Sequence, residues 1–154
     1  MVESPVAYRF EVRAADKSDA ETLVKLTLDF LRELRIPPDR ARVRRAYEDC
    51  LARPKDFPTF LLLSGDQPVG YALAFLRPST HFGVVMRVHD LYVDPCVRNL
   101  GAGHRLVENL VERARRAGAA RIEMELADAN VDARRLFGRL GFRPVGRCIS
   151  SLEL

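Results

Sequence analysis

Hydrophobic, β-branched and aromatic residues recur in six short stretches of the chain, and in the first of them they alternate with polar residues. Such stretches predict β-strands. The predicted strands are Tyr8–Ala14, Phe60–Ser64, Val69–Leu76, Met86–Val93, Arg121–Leu126 and about Val145–Leu154. The second and third flank Gly65-Asp66 and Gln67-Pro68, which predicts a hairpin. A loop over Arg77–Gly83 is expected before the fourth strand.

Elsewhere the apolar positions fall three and four residues apart, the spacing of one helix face. The predicted helices run from Ser18–Glu21 to about Leu34, from about Arg40 to Arg53, from Gly103 to Gly118, and from Val131 to Leu140. Ser18 and Glu21 have the spacing of a capping box, in which two side chains satisfy backbone donors reciprocally. Two early helices, a meander and then alternating strands and helices indicate a mixed α+β fold. The length suits a single domain, residues 1–154.

A glycine-rich turn between the fourth strand and the third helix is the most informative segment. It contains Arg98, Gly101 and Gly103. A turn that opens a helix leaves backbone N–H groups unpaired, and with the helix dipole they form an anion site suited to phosphate. A P-loop is excluded because His104 follows Gly103, and Leu106 stands where a dinucleotide fingerprint needs glycine. The alternative is a turn that only lets the helix pack closely on the strand.

The pattern Arg98-x-x-Gly101-x-Gly103 resembles the acyl-CoA motif of the GNAT superfamily of N-acyltransferases. The preceding VHDLYVDP is similar to the family's fourth strand, and Asn130–Phe142 resembles its late helix and the Gly-Phe that ends it. The resemblance implies a central, mostly antiparallel sheet with splayed fourth and fifth strands, flanked by helices. It also implies an N-acetyltransferase that moves an acetyl group from acetyl-CoA, its acetyl-donor substrate, to a primary amine. Transfer would be direct, in a ternary complex.

The resemblance further implies which residues bind CoA. Backbone amides of the fourth strand, those of Leu91, Tyr92 and Val93, would hold the pantetheine arm and polarise the thioester carbonyl. The residues implied for the pyrophosphate are Arg98, Asn99, Leu100, Gly101, Ala102, Gly103 and His104. Asn130 matches an asparagine that meets the pantetheine arm in the family, although an ordinary helix N-cap fits the position equally well.

The proton transfers have several candidate residues. An alkyl ammonium has a pKa of about 10, so a base must deprotonate it before it attacks. His89 stands where some amine-acetylating members carry glutamate, and a histidine pKa of about 6.5 suits a base; it could instead simply pack on the sheet. Asp90 is the substitute, acting through water. Strict alternation puts the two on opposite faces, unless a bulge intervenes.

The group that protonates the departing thiolate is equally open. Many members have a tyrosine in the late helix for this step, but the matching residue here is Phe137, which has no proton to give. Phe137 could still pack against CoA. Tyr92 could supply the proton or belong to the core, and solvent could protonate a thiolate that leaves unassisted.

The acceptor is expected to be a small-molecule amine. Acidic residues on the first two helices would attract a cation; they are Asp29, Glu33, Asp39, Glu48 and Asp49. The segment from Ser79 to Gly83 is similar to diamine and polyamine acetyltransferases. Aminoglycosides, a protein N-terminus or a lysine side chain remain alternative acceptors, and a non-catalytic CoA-binding module is a further alternative.

Composition narrows the partners and the location. The net charge is +4, but arginines alternate with acidic residues along the helices, so solvated helix faces are expected and not a nucleic-acid surface. No apolar run is long enough to span a membrane, and no secretory signal is recognisable, so a cytoplasmic protein is expected. Three cysteines lack metal-binding spacing, so no metal is expected. A homodimer is expected from the resemblance alone.

Overall fold

One five-stranded sheet runs through the part of the chain that the computed structural model describes, residues 9–147 and 149–154. Its strands lie in chain order: β1 (Phe10–Ala14), β2 (Thr59–Ser64), β3 (Gln67–Ser79), β4 (Gly83–Val93) and β5 (Arg121–Met124). The first four strands pair antiparallel, whereas β4 and β5 are parallel. The predicted mixed α+β class with a mostly antiparallel sheet is therefore confirmed.

Helices cover both faces of this sheet. They are α1 (Ala20–Glu33), α2 (Arg40–Ala52), α3 (Ala102–Arg116) and α4 (Val131–Arg139). One core lies between the sheet and α1–α2, and the sheet contributes Leu61, Tyr71 and Tyr92 to it. The other core lies between the sheet and α3, where Leu106 and Leu110 are buried. Burying each leucine stabilises the fold by about 1.5–3 kcal/mol. Among the described residues no helix has the length and apolar content needed to cross a bilayer.

A β-bulge in β4 decides which side chains face which layer. Leu73 pairs with Asp90 and Ala74 pairs with Val88, so His89 is the extra residue. Before the bulge Val88 faces the α3 core, and after it Val93 does so as well. Even-numbered residues of β4 therefore face α3 before the bulge, and odd-numbered residues face α3 after it.

The strands β4 and β5 part beyond the bulge. Their pairing runs from Val85–Arg121 to Val88–Met124, where β5 ends. β4 continues to Val93 and remains paired with β3 up to Gly70. One edge of β4 is consequently open from His89 onwards, which is the splay that the resemblance implies.

Three predictions of local structure are wrong: a loop, a capping box and the last strand. The expected loop at Arg77–Gly83 is largely a two-stranded ribbon, because Arg77 pairs with Val85 and Ser79 with Gly83. Pro78 is tolerated there since this part of β3 has no β2 partner that would need its N–H.

The capping box lies two residues earlier than predicted. The Asp16 carboxylate accepts the Ser18 N–H at 2.7 Å, and the Asp19 carboxylate accepts the Asp16 N–H at 2.9 Å. Asp19 also receives two hydrogen bonds from the Arg13 guanidinium, at 2.7 and 2.8 Å. A short 3₁₀ turn, Lys17–Asp19, therefore precedes α1, and Ser18 does not cap it.

The predicted last strand is not formed in residues 145–147 and 149–154, and Cys148 lies outside the described residues. The apolar side chains that suggested it, Val145, Ile149, Leu152 and Leu154, are exposed. The predicted first residue of the first strand, Tyr8, also lies outside the described residues.

Candidate active site

The turn between β4 and α3 combines two residues in left-handed backbone conformation. Asn99 has φ +62° and Gly101 has φ +89°, whereas Arg98, just before them, is extended. A turn of this kind can direct backbone N–H groups into one concavity, which favours anions. Asp94 stabilises the entry to the turn by accepting the Cys96 N–H at 2.8 Å. The turn thus has the backbone shape of an anion site.

The first turn of α3 supplies the donors for this concavity. Its first backbone hydrogen bond runs from the Arg105 N–H to the Gly101 carbonyl, at 3.1 Å. The N–H groups of Ala102, Gly103 and His104 therefore have no acceptor in the preceding turn. No acidic side chain lies in the first turn, so nothing there competes for the positive end of the helix dipole. This geometry supports the predicted pyrophosphate contacts of residues 99–104, which stay a prediction.

The two motif glycines serve different purposes. Gly101 needs a left-handed conformation, and a Cβ added there would meet nothing within 4 Å, so the space above it is open. A Cβ on Gly103 would lie 3.0 Å from Leu136 Cδ2 and 4.0 Å from Val93 Cγ2. Gly103 therefore lets α3 pack closely on α4 and β4, which was the alternative explanation of the motif.

The Arg98 side chain does not point at the phosphate concavity. Its Nε donates to the Val93 carbonyl at 2.8 Å, and its Nη2 donates to both Glu33 carboxylate oxygens at 2.8 Å. The guanidinium carbon also lies 5.7 Å from the centre of the Tyr92 ring. Glu33 of α1 already neutralises the Arg98 guanidinium in this structure, so a phosphate contact of Arg98 stays a prediction. The side chains next to the concavity are those of His104 and the cationic Arg105, which contact Glu108.

Two of the three predicted β4 amides face the open edge. The Asp94 N–H donates to the Val69 carbonyl of β3 at 2.8 Å. Because N–H groups alternate sides along a strand, the Tyr92 N–H also points towards β3, opposite Tyr71. The N–H groups of Leu91 and Val93 then point to the side from which β5 has departed. The expectation that the Tyr92 amide faces the opening is therefore wrong.

The bulge brings both candidate bases to the α1–α2 face. The exposed His89 ring stacks on Phe75, with ring centres 4.9 Å apart. The half-buried Asp90 accepts a hydrogen bond from the Tyr71 hydroxyl at 3.3 Å. Burial raises the pKa of Asp90, while His89 and the Tyr71 hydroxyl act in the opposite direction. A raised pKa makes this carboxylate a stronger base at neutral pH.

Tyr92 lies in the core between the sheet and α1. It is buried, and its ring packs against Phe30 at 5.5 Å and Tyr71 at 6.1 Å between centres. Burial and the nearby carboxylates of Glu33, Asp94 and Asp29 raise the pKa of Tyr92 to about 12. Each of these effects weakens a proton donor, so the packing favours the core alternative for Tyr92.

The sequence model of the acetyltransferase (GNAT) family matches residues 21–142, most of the chain. The protein belongs to the GNAT family. Thialysine N-epsilon-acetyltransferase of Caenorhabditis elegans is 31% identical over 83 residues, covering 54% of this chain and 52% of the relative. The chain thus spans about half the length of that curated relative. The expected membership of the GNAT acetyltransferase family is therefore confirmed.

Solved structures share the same fold. An integron cassette protein from the mobile metagenome of Cole Harbour Salt Marsh superposes with a TM-score of 0.84 at 25% identity, covering 93% of this chain and 90% of that one. A predicted acetyltransferase of Clostridium acetobutylicum, solved with acetyl-CoA, superposes with a TM-score of 0.79 at 18% identity, covering 94% and 96%. The expected GNAT fold is therefore confirmed.

Two residues that the GNAT resemblance assigns to CoA have structural roles in this structure. Asn130 caps α4, because its Oδ1 accepts the Ala133 N–H at 3.1 Å; its side-chain NH₂ group is left to donate elsewhere. Phe137 is only 2% exposed and packs edge-on against Phe142, with ring centres 5.0 Å apart. Phe137 is therefore a core residue, and the expected contact of its ring with CoA is not available here.

The acidic residues of the first two helices are less free than their number suggests. Asp29 pairs with Arg32, Glu33 with Arg98, and Glu48 with Arg44. The Asp39 carboxylate caps α2 by accepting the Arg42 N–H, which lowers its pKa. The described ion pairs therefore reduce the negative charge that these helices offer to a cationic acceptor.

Gly70 is a site residue that sequence reasoning missed. A Cβ on Gly70 would lie 2.5 Å from the Tyr92 carbonyl oxygen and 3.3 Å from Val93 Cα. Only glycine allows β3 to approach β4 this closely, next to the amides at the open edge. A glycine inside a predicted strand is the signal that could have revealed it.

Proposed function

We propose that the protein is an N-acetyltransferase that moves the acetyl group of acetyl-CoA to a primary amine of a small molecule, in a ternary complex. One observation carries the proposal: the open edge of β4, with the Leu91 and Val93 amides, lies directly before the N-terminus of α3. A thioester carbonyl and a pyrophosphate need donors of these two kinds. Membership of the GNAT family supports the same reaction.

The donor half of the reaction uses backbone groups. The N–H groups of Ala102, Gly103 and His104 bind the pyrophosphate, and the Leu91 and Val93 N–H groups bind the pantetheine arm or polarise the thioester carbonyl. Negative charge develops on that carbonyl oxygen in the tetrahedral intermediate. A preorganised donor aimed at such an oxygen contributes about 2.7–4 kcal/mol to catalysis.

The acceptor half of the reaction uses Asp90 as the base. Asp90 removes a proton from the ammonium, directly or through water, and the neutral nitrogen attacks the thioester carbon. The nitrogen of the intermediate then loses its second proton to solvent, and the carbon–sulfur bond breaks, giving the neutral amide and the CoA thiolate. The buried Phe137 cannot donate a proton, so solvent protonates this thiolate. His89 remains the alternative base because its ring lies on the same face.

A small amine is the acceptor that the observations favour. Asp90 sits beside aromatic side chains on the α1–α2 face, and a carboxylate with aromatic neighbours suits an organic cation. The name of the Caenorhabditis elegans relative, a thialysine N-epsilon-acetyltransferase, supports an amine on a short aliphatic chain.

We also propose a homodimer, which the exposed apolar residues Val145, Ile149 and Leu152 support. Sedimentation velocity measures that assembly.

The experiment is a thiol-release assay with acetyl-CoA and three acceptor classes: thialysine and polyamines, aminoglycosides, and peptides with free lysine or N-terminal amines. The proposal predicts turnover with the first class or, less efficiently, with the second. Turnover confined to peptides would mean that the protein acetylates proteins and not small molecules. Acetyl-CoA binding without turnover on any acceptor would favour a CoA-binding module.

A further inference from the structure

The Asp90 carboxylate accepts a hydrogen bond from the phenol of Tyr71, a residue to which the proposed function gives no role. Tyr71 is fully buried in the core under α1 and α2, and its hydroxyl donates to Asp90 Oδ2 at 3.3 Å. Tyr71 lies on β3 directly opposite Tyr92, one pair away from the open edge amides. A buried hydroxyl needs a partner. In the described structure its partners are the carboxylate of the proposed base, Asp90, and the neighbouring hydroxyls of Thr27 and Tyr47.

A second phenol, that of Tyr47, lies next to Tyr71 and interacts with its hydroxyl. The Tyr47 hydroxyl of α2 is 2.6 Å from Thr27 Oγ1 of α1, and the Tyr47 ring packs edge-on against Tyr71 at 6.4 Å between centres. Tyr47 is therefore satisfied by Thr27 and at the same time fixes the plane of the Tyr71 ring. The two helices thus determine where the Tyr71 hydroxyl points.

We propose that Tyr71 is a positioning residue for acetyl transfer, holding the Asp90 carboxylate in place on the α1–α2 face beside the open edge of β4. The inference rests on the proposed function, since it assumes that Asp90 is the base. A carboxylate without this bond would rotate freely about its side-chain torsions, and it would accept the ammonium proton from fewer productive orientations.

The electrostatic surroundings agree with a donor that stays protonated. Burial first, and then the neighbouring Tyr47 and Asp90, raise the pKa of Tyr71 well above its usual value. The titratable groups that face Asp90 are His89 on β4, Tyr71 on β3, and Tyr47 and Cys50 on α2. From α1 this cluster receives the neutral hydroxyl of Thr27. Tyr71 therefore donates a hydrogen bond at every pH at which the enzyme would work.

The test compares Tyr71→Phe with Tyr47→Phe. Each change removes one buried hydroxyl from the same aromatic cluster, but only the first removes the bond to Asp90. Without that bond the charged carboxylate is less favoured, so the pKa of Asp90 rises further. A hydrogen bond to a charged group is worth about 1.5–3 kcal/mol, so the acidic limb of the kcat/KM profile should move up by about one to two pH units. The KM for acetyl-CoA should not change.

Tyr47→Phe should lower the melting temperature but leave the acidic limb where it is. The Tyr71 proposal is overturned if both variants keep the profile of the parent enzyme, or if both shift it equally. Carbon-13 NMR titration of the Asp90 carboxyl in parent and Tyr71→Phe proteins gives a readout that needs no turnover. An unchanged Asp90 pKa there overturns the positioning role, whereas a raised pKa in a protein without any acetyltransferase activity overturns the proposed function alone.

Discussion

Asp90 and His89 are adjacent in the chain, and the bulge in β4 gives them different surroundings on the same face. Asp90 is half-buried and bonded to Tyr71, whereas His89 is exposed and stacked on Phe75. A base that works on a bound amine benefits from burial, because burial strengthens its affinity for the proton. These surroundings favour Asp90 over His89 as the base.

Asp90→Asn should lower kcat by about 10²- to 10⁴-fold, the usual contribution of a general base. His89→Gln should lower it much less, since glutamine keeps a polar planar group on Phe75. The check is to measure the steady-state kinetics of both variants between about pH 6 and about pH 9, in steps of about one pH unit. A larger loss for His89→Gln than for Asp90→Asn would transfer the role of base to His89.

At the scale of single residues, the sequence identified candidate catalytic residues but did not show which way their side chains point. It supplied His89, Asp90 and Tyr92 as candidates, yet the letters HDLYV fit a straight strand and a bulged strand equally well. The bulge depends on register with β3, which is a tertiary property. Tyr71 was not recognisable as a partner of Asp90 for the same reason, because their contact is made across two strands.

Among the elements, the contact between α1 and the β4–α3 turn connects the two halves of the site. Arg98 bridges Glu33 on α1 and the carbonyl of Val93 at the end of β4. Helix α1 borders the proposed acceptor face, and Val93 borders the proposed CoA face. The sequence motif suggested a phosphate ligand at Arg98 because the position of Glu33, 65 residues earlier in the chain, could not be read from spacing.

Glu33→Gln tests this contact. The ion pair is about half exposed, so its loss should cost at most about 1 kcal/mol, and the turn should become less well anchored. We expect the KM for acetyl-CoA to rise up to about fivefold with little change in kcat. Asp29→Asn is the matched control, since its partner Arg32 lies on the same helix, away from the turn. Tighter acetyl-CoA binding in Glu33→Gln would mean instead that Arg98, once released, binds phosphate.

For the whole molecule, the sequence predicted the helices and most strands because their apolar spacing is local. It could not predict the ribbon of β3 and β4 beyond Leu76, where strand pairing overrides a proline and polar residues. It also predicted a last strand from apolar residues that are exposed in the described chain. An apolar pattern alone does not say which surface it will cover.

The central claim is that acetyl-CoA binds with its pyrophosphate at the N-terminus of α3. Isothermal titration of acetyl-CoA into the parent protein, Gly101→Ala and Gly118→Ala tests it most directly. Both glycines have positive φ and open space around them, at opposite ends of α3, so both variants carry a similar strain of about 1–2 kcal/mol. The account predicts that Gly101→Ala weakens acetyl-CoA binding at least tenfold while Gly118→Ala leaves it unchanged. Equal affinities in all three proteins would contradict it.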